Sequence, residues 1–242
     1  MRNFQICQIR CLISNDGHVE AVQALGQIWA TKWKSSQVFN EHDDNVELKL
    51  DLEDNECREL INLLSEVTLP EIYTLKVSNF YESDEDLENF LSNSVYSVSN
   101  LILITESFWI DVHDYLDDIL KINHVKNLYL KGFLIDNEDC EKLFGSSNMQ
   151  WVTLESWNLG IDQGFKINTS RSSPLEADKS ALSKIRLIDI EIDAESITNL
   201  FKSISKTSLK DSLKFLEVIN WELGLQDIKD VLERLNLHIN VQ

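Results

Sequence analysis

Apolar residues recur along this chain in a two-part phrase. A short stretch with every second position apolar is followed by a stretch whose apolar positions fall at i, i+3 and i+4. The first apolar residue of each alternating pair serves as an anchor: Leu48, Leu75, Leu101, Leu128, Val152, Ile185 and Leu216. Successive anchors lie 27, 26, 27, 24, 33 and 31 residues apart. Further columns align on them. Three residues before the anchor stand Ile72, Val98, Val125, Met149, Leu182 and Leu213; two after it stand Leu50, Val77, Leu103, Leu130, Leu154, Leu187 and Val218. Five after it stand Phe80, Phe133, Trp157, Ile190 and Trp221, so the twice-written phrase Trp-x-Leu-Gly fills one slot, two repeats apart.

Alternation is the period of a strand, whose successive side chains point to opposite faces. Strands are predicted over residues 46–52, 73–78, 99–104, 126–131, 150–155, 183–188 and 214–219. The second part of the phrase carries Leu60/Leu63/Leu64, Leu87/Phe90/Leu91, Cys140/Leu143/Phe144, Ile197/Leu200/Phe201 and Ile228/Val231/Leu232. That spacing marks one face of a helix. Between the two parts, eight residues after the anchor, stand Ser83, Asp136, Gly160, Asp193 and Gly224, all residue types accepted at a helix N-cap. Asp86, Asp139 and Asp227 follow three residues later, where a carboxylate meets the positive end of the helix dipole. Each unit is therefore a strand, a connection and a helix. Trp157 and Trp221 are expected to be buried at the strand-to-helix turn.

The L-x-x-L-x-L core in IYTLKV (72–77), VKNLYL (125–130), MQWVTL (149–154) and LSKIRL (182–187) resembles that of leucine-rich-repeat proteins, in particular the long-repeat, ribonuclease-inhibitor-like kind. The resemblance covers about residues 45–242. It implies an α/β solenoid, a horseshoe with a concave parallel sheet and convex helices. The family places Asn or Cys five residues past the anchor; this chain places Phe, Trp or Ile there, with Asn79 and Asn220 one position early. Apolar packing is expected to hold that loop in place of an asparagine ladder.

Residues 46–242 thus read as about seven repeats with a closing strand at 235–241. Residues 1–45 read either as a degenerate first repeat, with Ile9, Cys11, Ala21, Ala24, Leu25 and Ile28 in the matching columns, or as a separate N-terminal cap. The stretch 167–183 is rich in Ser, Thr and Pro and reads as an exposed loop; Ser173-Pro174 within it is a candidate phosphorylation site.

The net charge of −19 repels phosphate backbones and anionic lipid, which excludes sequence-independent nucleic-acid binding. No apolar run reaches the ~18 residues of a membrane span, and the N-terminus lacks a signal-peptide core, so a cytoplasmic, or alternatively nuclear, location is expected. Four irregularly spaced cysteines do not form a disulfide framework.

The chemistry-bearing residue types form no catalytic pattern. Seven scattered glycines make no phosphate-cradling loop. Cys7 and Cys11 with His18 and His42 have irregular spacing for zinc, and Cys11 occupies a core position. In DVHDYLDD (111–118), Asp111, Asp114 and Asp118 would share a helix face and bind a cation weakly at most; a solvated face opposite Val112, Tyr115, Leu116 and Ile119 accounts for them better. No nucleophile–base pair can be named. No catalytic activity, cofactor or metal is therefore expected.

The residues one before, one after and three after each anchor should line the concave side. From the third repeat onward that row carries Ile102, Ile104, Tyr129, Trp151, Ile188, Phe215 and Ile219, rimmed by Lys131, Lys184 and Arg186. Such a surface fits a protein partner. The expected function is a non-catalytic protein-interaction module or scaffold. The alternatives are a structural subunit of a large assembly and, from another class, a regulator such as a GTPase activator or a ubiquitin-ligase substrate adaptor.

Overall fold

The seven anchors lie side by side in one parallel sheet. The computed structural model describes residues 47–53, 58, 61, 72–81, 84–92, 97–106, 110–122, 124–146, 148–155, 182–190, 194–219 and 224–241. Its strands are β1 (Glu47–Asp51), β2 (Ile72–Ser78), β3 (Val98–Ile104), β4 (Ile110–Asp111), β5 (Asn127–Lys131), β6 (Phe133–Leu134), β7 (Trp151–Glu155), β8 (Lys184–Ile188), β9 (Phe215–Ile219) and β10 (Asn240–Val241). Eight of them form a sheet in the order β1-β2-β3-β5-β7-β8-β9-β10, so each strand joins the sheet after its predecessor in the chain. Leu48 pairs with Leu75, Leu75 with Leu101, Leu101 with Leu128, Leu128 with Val152, Val152 with Ile185 and Ile185 with Leu216. The columns read from sequence are thus the hydrogen-bond register. The strands β4 and β6 make a separate short parallel ladder that the alternation did not announce.

The helices are α1 (Glu85–Ser92), α2 (His113–Lys121), α3 (Asn137–Gly145), α4 (Ala194–Ser205), the short α5 (Leu209–Ser212) and α6 (Leu225–Arg234). They bury the expected stripes: Leu87/Phe90/Leu91, Cys140/Leu143/Phe144, Ile197/Leu200/Phe201 and Ile228/Val231/Leu232. Helix α1 touches α2, α2 touches α3 and α4 touches α6. Together the helices cover one face of the sheet. On that face Leu75, Val77, Leu101, Leu103, Leu128, Leu130, Val152, Leu154, Ile185, Leu187 and Leu216 are all buried. Burying each such side chain contributes about 1.5–3 kcal/mol, so this layer dominates stability.

The slot five past the anchor is apolar and buried at Phe80, Phe133 and Ile190, whereas the first and third repeats place the exposed Glu53 and Glu106 there. Phe80 and Phe133 pack with ring centroids 5.7 Å apart and planes tilted by 40°, and Tyr115 meets Phe80 edge-on at 5.9 Å. Aromatic packing therefore fills the loop layer. The residue just before this slot bends the chain out of the sheet. Asn79, Gly132 and Asp189 there have left-handed φ of 58°, 84° and 51°. Their amides extend the ladder by one bond, from Asn79 to the Ile104 carbonyl, from Gly132 to Glu155 and from Asp189 to Ile219. Asn, Gly and Asp are the residues that tolerate this conformation, which explains an asparagine one place earlier than the family pattern. At Gly132 a Cβ would lie 2.1 Å from the Thr105 carbonyl oxygen, so only glycine fits.

Helix capping follows the expectation with one correction. Asp136 and Asp139 form a reciprocal capping box on α3, and Gly224 is the N-cap of α6. On α1 the capping carboxylate is Asp84, which accepts from the Leu87 amide at 3.3 Å, one residue past the expected Ser83. The closing strand is shorter than read. Leu235–Leu237 end α6 in a left-handed turn, with Asn236 at φ 53°, Asn236 N donating to Glu233 O and Leu237 N to Leu232 O. Only Asn240 and Val241 pair, opposite Phe215 and Leu216. Val218 lies beyond their reach and is only partly buried. Residues 1–45, Cys57, Trp157, Trp221 and the stretch 167–181, including Ser173-Pro174, lie outside the described residues.

Candidate functional site

The second face of the sheet is the one that the helices leave open. Its residues lie in three rows across the strands. The row at the strand starts reads Thr74, Asn100, Asn127, Trp151, Lys184, Phe215; the middle row Lys76, Ile102, Tyr129, Thr153, Arg186, Glu217; the last row Ser78, Ile104, Lys131, Glu155, Ile188, Ile219. None is buried, although most are half-shielded by their neighbours. Trp151 and Phe215 stand out at 51 % and 43 % exposure.

The register groups the expected residues and also separates them. Ile102 faces Tyr129, Ile104 faces Lys131, and Ile188 faces Ile219. Thr153 and Glu155 stand between the Tyr129/Lys131 pair and the Arg186/Ile188 pair. Lys184 stands between Trp151 and Phe215, its Nζ 5.5 Å from the Trp151 ring centroid. The apolar positions therefore form small groups, not one continuous patch. Tyr129 and Trp151 sit diagonally, because Trp151 pairs with Asn127.

The three basic side chains expected at the rim are each engaged with a carboxylate. Lys131 Nζ meets Glu155 Oε1 at 2.6 Å, and Lys184 Nζ meets Glu217 Oε2 at 2.8 Å. Arg186 Nε lies 3.1 Å from the same Glu217 oxygen, close enough for an ion pair but not aligned for a hydrogen bond. The Tyr129 hydroxyl donates to Glu155 Oε2. Hydrogen bonding from Lys184 lowers the Glu217 carboxyl below its ordinary value. Burial alone would raise Glu155, but hydrogen bonds from Lys131 and Tyr129 bring it below the usual range. Burial, reinforced by Glu155, raises the Tyr129 hydroxyl. At the far end, Asn127 Nδ2 donates to Asn100 Oδ1 at 2.6 Å, and Asn100 Nδ2 to the Tyr73 carbonyl at 2.8 Å.

The other ionisable residues serve the helix layer. Asp111 lies in β4, not on α2, and its Oδ1 accepts from the His113 amide at 3.0 Å; it does not share a face with Asp114 and Asp118. Asp118 pairs with Lys121, and Asp117 with Lys142. Asp139 is fully buried, and burial pushes its carboxyl up to about 6; His113 Nδ1 lies 3.4 Å from its Oδ1. Buried Asp84 is held by Arg58 at 2.9 Å and donates its amide to the Tyr115 hydroxyl. Burial pushes that hydroxyl up to about 12. Cys140 is buried, and desolvation pushes its thiol well above the ordinary value. Among the described residues no group of His, Cys, Asp and Glu is placed to hold a metal ion, and no helix is long and apolar enough to cross a membrane. No family model and no curated protein matches the sequence.

Proposed function

We propose that this chain is a leucine-rich-repeat solenoid that binds a protein partner on its open, concave sheet face and carries out no chemistry of its own. The serial strand order, the anchor-on-anchor register and the strand–helix units support the solenoid reading. The observation that carries the function is the pair of aromatic side chains, Trp151 and Phe215, half-exposed on a face whose reverse side is fully packed. Large rigid aromatics offer contact area at small entropic cost, and an exposed pair on a rigid sheet fits recognition better than stability. The net charge of −19 favours a protein over nucleic acid as the partner.

The test is affinity capture from the native cell with two variants beside wild type. Trp151→Ala with Phe215→Ala should abolish capture of the partner and leave folding cooperative. Asp114→Lys with Asp118→Lys, on the outer face of α2, should leave capture intact. If the helix variant loses the partner and the sheet variant keeps it, recognition runs through the acidic helices instead.

A further inference from the structure

From the distribution of charge around the open face, we infer that the edge where β7, β8 and β9 begin takes an acidic peptide segment bearing apolar side chains. This rests on the open-face reading and names the chemistry of its partner. The chain carries 41 acidic against 22 basic residues, yet the run from 206 to 215, KTSLKDSLKF, holds three lysines and one acid. Lys206, Lys210 and Lys214 are spaced by four and all exposed. They follow α4, include part of α5 and lead into β9, so connectivity alone sets them at the strand-starting edge. Lys214 Nζ also holds the Asp211 carbonyl, which fixes it near the start of β9.

Lys214 directly precedes Phe215, and Trp151, Lys184 and Phe215 stand in register on three adjacent strands. Neighbouring strands are about 4.8 Å apart, so the two exposed rings sit about 10 Å from each other with an ammonium between them. A ligand matched to this edge carries two apolar side chains at about that separation, flanked by carboxylates.

The overall negative charge does not forbid such a ligand. The acids nearest this edge are Glu217, already paired with Lys184 and Arg186, and Asp211, the one acid of the run; Asp136 and Asp189 stand past the opposite strand ends, a five-residue strand away, about 17 Å. Ionic screening at physiological salt acts over about 8 Å, so a short peptide at this edge responds mainly to the nearby lysines. A nucleic acid, with a charge every ~1.7 Å along its axis, extends past the edge and meets the acidic remainder of the molecule. A peptide also uses both aromatic rings as hydrophobic contacts.

The test pans random phage-displayed peptides on the immobilised full-length chain, then measures labelled synthetic copies of the enriched peptides by fluorescence anisotropy. Enriched sequences should combine Asp or Glu with Phe, Trp or Leu. Their affinity should fall at least about tenfold on Lys206→Gln/Lys210→Gln/Lys214→Gln, and again as sodium chloride rises from about 50 to about 300 mM. Replacing the same lysines by Arg should restore binding, and an unchanged urea midpoint should show that the Gln variant is folded. A thymidine oligonucleotide should not compete. Peptides without acidic enrichment, no enrichment at all, binding indifferent to the lysines, or equal binding by the oligonucleotide would each overturn the proposal. If the native partner is still lost on Trp151→Ala/Phe215→Ala while selected peptides show no acidic bias, the open-face reading survives and this inference alone falls.

Discussion

The two faces of one sheet teach different lessons, although their residues alternate along the same strands. On the covered face every described position from Leu75 to Leu216 is a buried aliphatic. On the open face, one residue away, polar and charged residues are mixed with Ile102, Ile104, Ile188, Ile219 and two half-exposed aromatics, and cross-strand ion pairs join Lys131 to Glu155 and Lys184 and Arg186 to Glu217. A parallel sheet covered on both sides would read as continuous apolar runs. Here most strands alternate, as a sheet with helices on one side should, while β3 (Leu101-Ile102-Leu103-Ile104) is apolar on both faces. The covered face accounts for stability, and the open face is the one proposed to bind a partner.

The sharpest way to break this division is at the left-handed bend that follows β2, β5 and β8. Gly132→Ala places a methyl against the Thr105 carbonyl and forces a left-handed alanine, which should cost about 4–5 kcal/mol in urea unfolding. A wild-type midpoint would mean that the bend is not as described. Next, Leu130→Ala removes a fully buried side chain from the covered face and should cost about 3 kcal/mol.

A third test concerns the buried carboxyl of the helix layer. The folded protein holds the Asp139 proton up to about pH 6, above the ordinary carboxyl value, because ionisation leaves a charge in a buried site. Stability from this group is therefore fully present below about pH 4 and is lost as the pH rises through about 6, by roughly 3 kcal/mol. Asp139→Asn should remove this slope, read as the wild-type minus variant difference in unfolding free energy across that range. A difference that rises with pH would contradict the assignment. The smallest effect belongs to the open face: Trp151→Ala should change stability by less than about 1 kcal/mol, since half of the ring is already in water.

Strand positions, register and helix stripes were legible because burial imposes periods of two and 3.6 on residue choice. The left-handed bend has a trace in the column Asn79, Gly132, Asp189, but the sequence reading noted only that Asn79 stands one place earlier than the family pattern and did not read it as backbone geometry. The pairing of Lys131 with Glu155 and of Arg186 with Glu217 could have been read from the same alignment. The partners share an offset from anchors on neighbouring strands, where opposite charges attract. The β4–β6 ladder and the cap at Asp84 were not legible, because two-residue elements and a one-residue shift leave no period. Exposure of Trp151 and Phe215 was not legible either. Alternation assigns a face but does not say how far the neighbours shield it.

The central claim is that side chains one residue apart along β5 face a packed interior and an open surface in turn. Single cysteines at positions 128, 129, 130 and 131, alkylated in the native protein and read by peptide mass spectrometry, test it directly. Cysteines at 129 and 131 should label quickly, and those at 128 and 130 should label only after urea unfolds the chain. Equal labelling of all four in the native state, or the reverse alternation, would contradict the account.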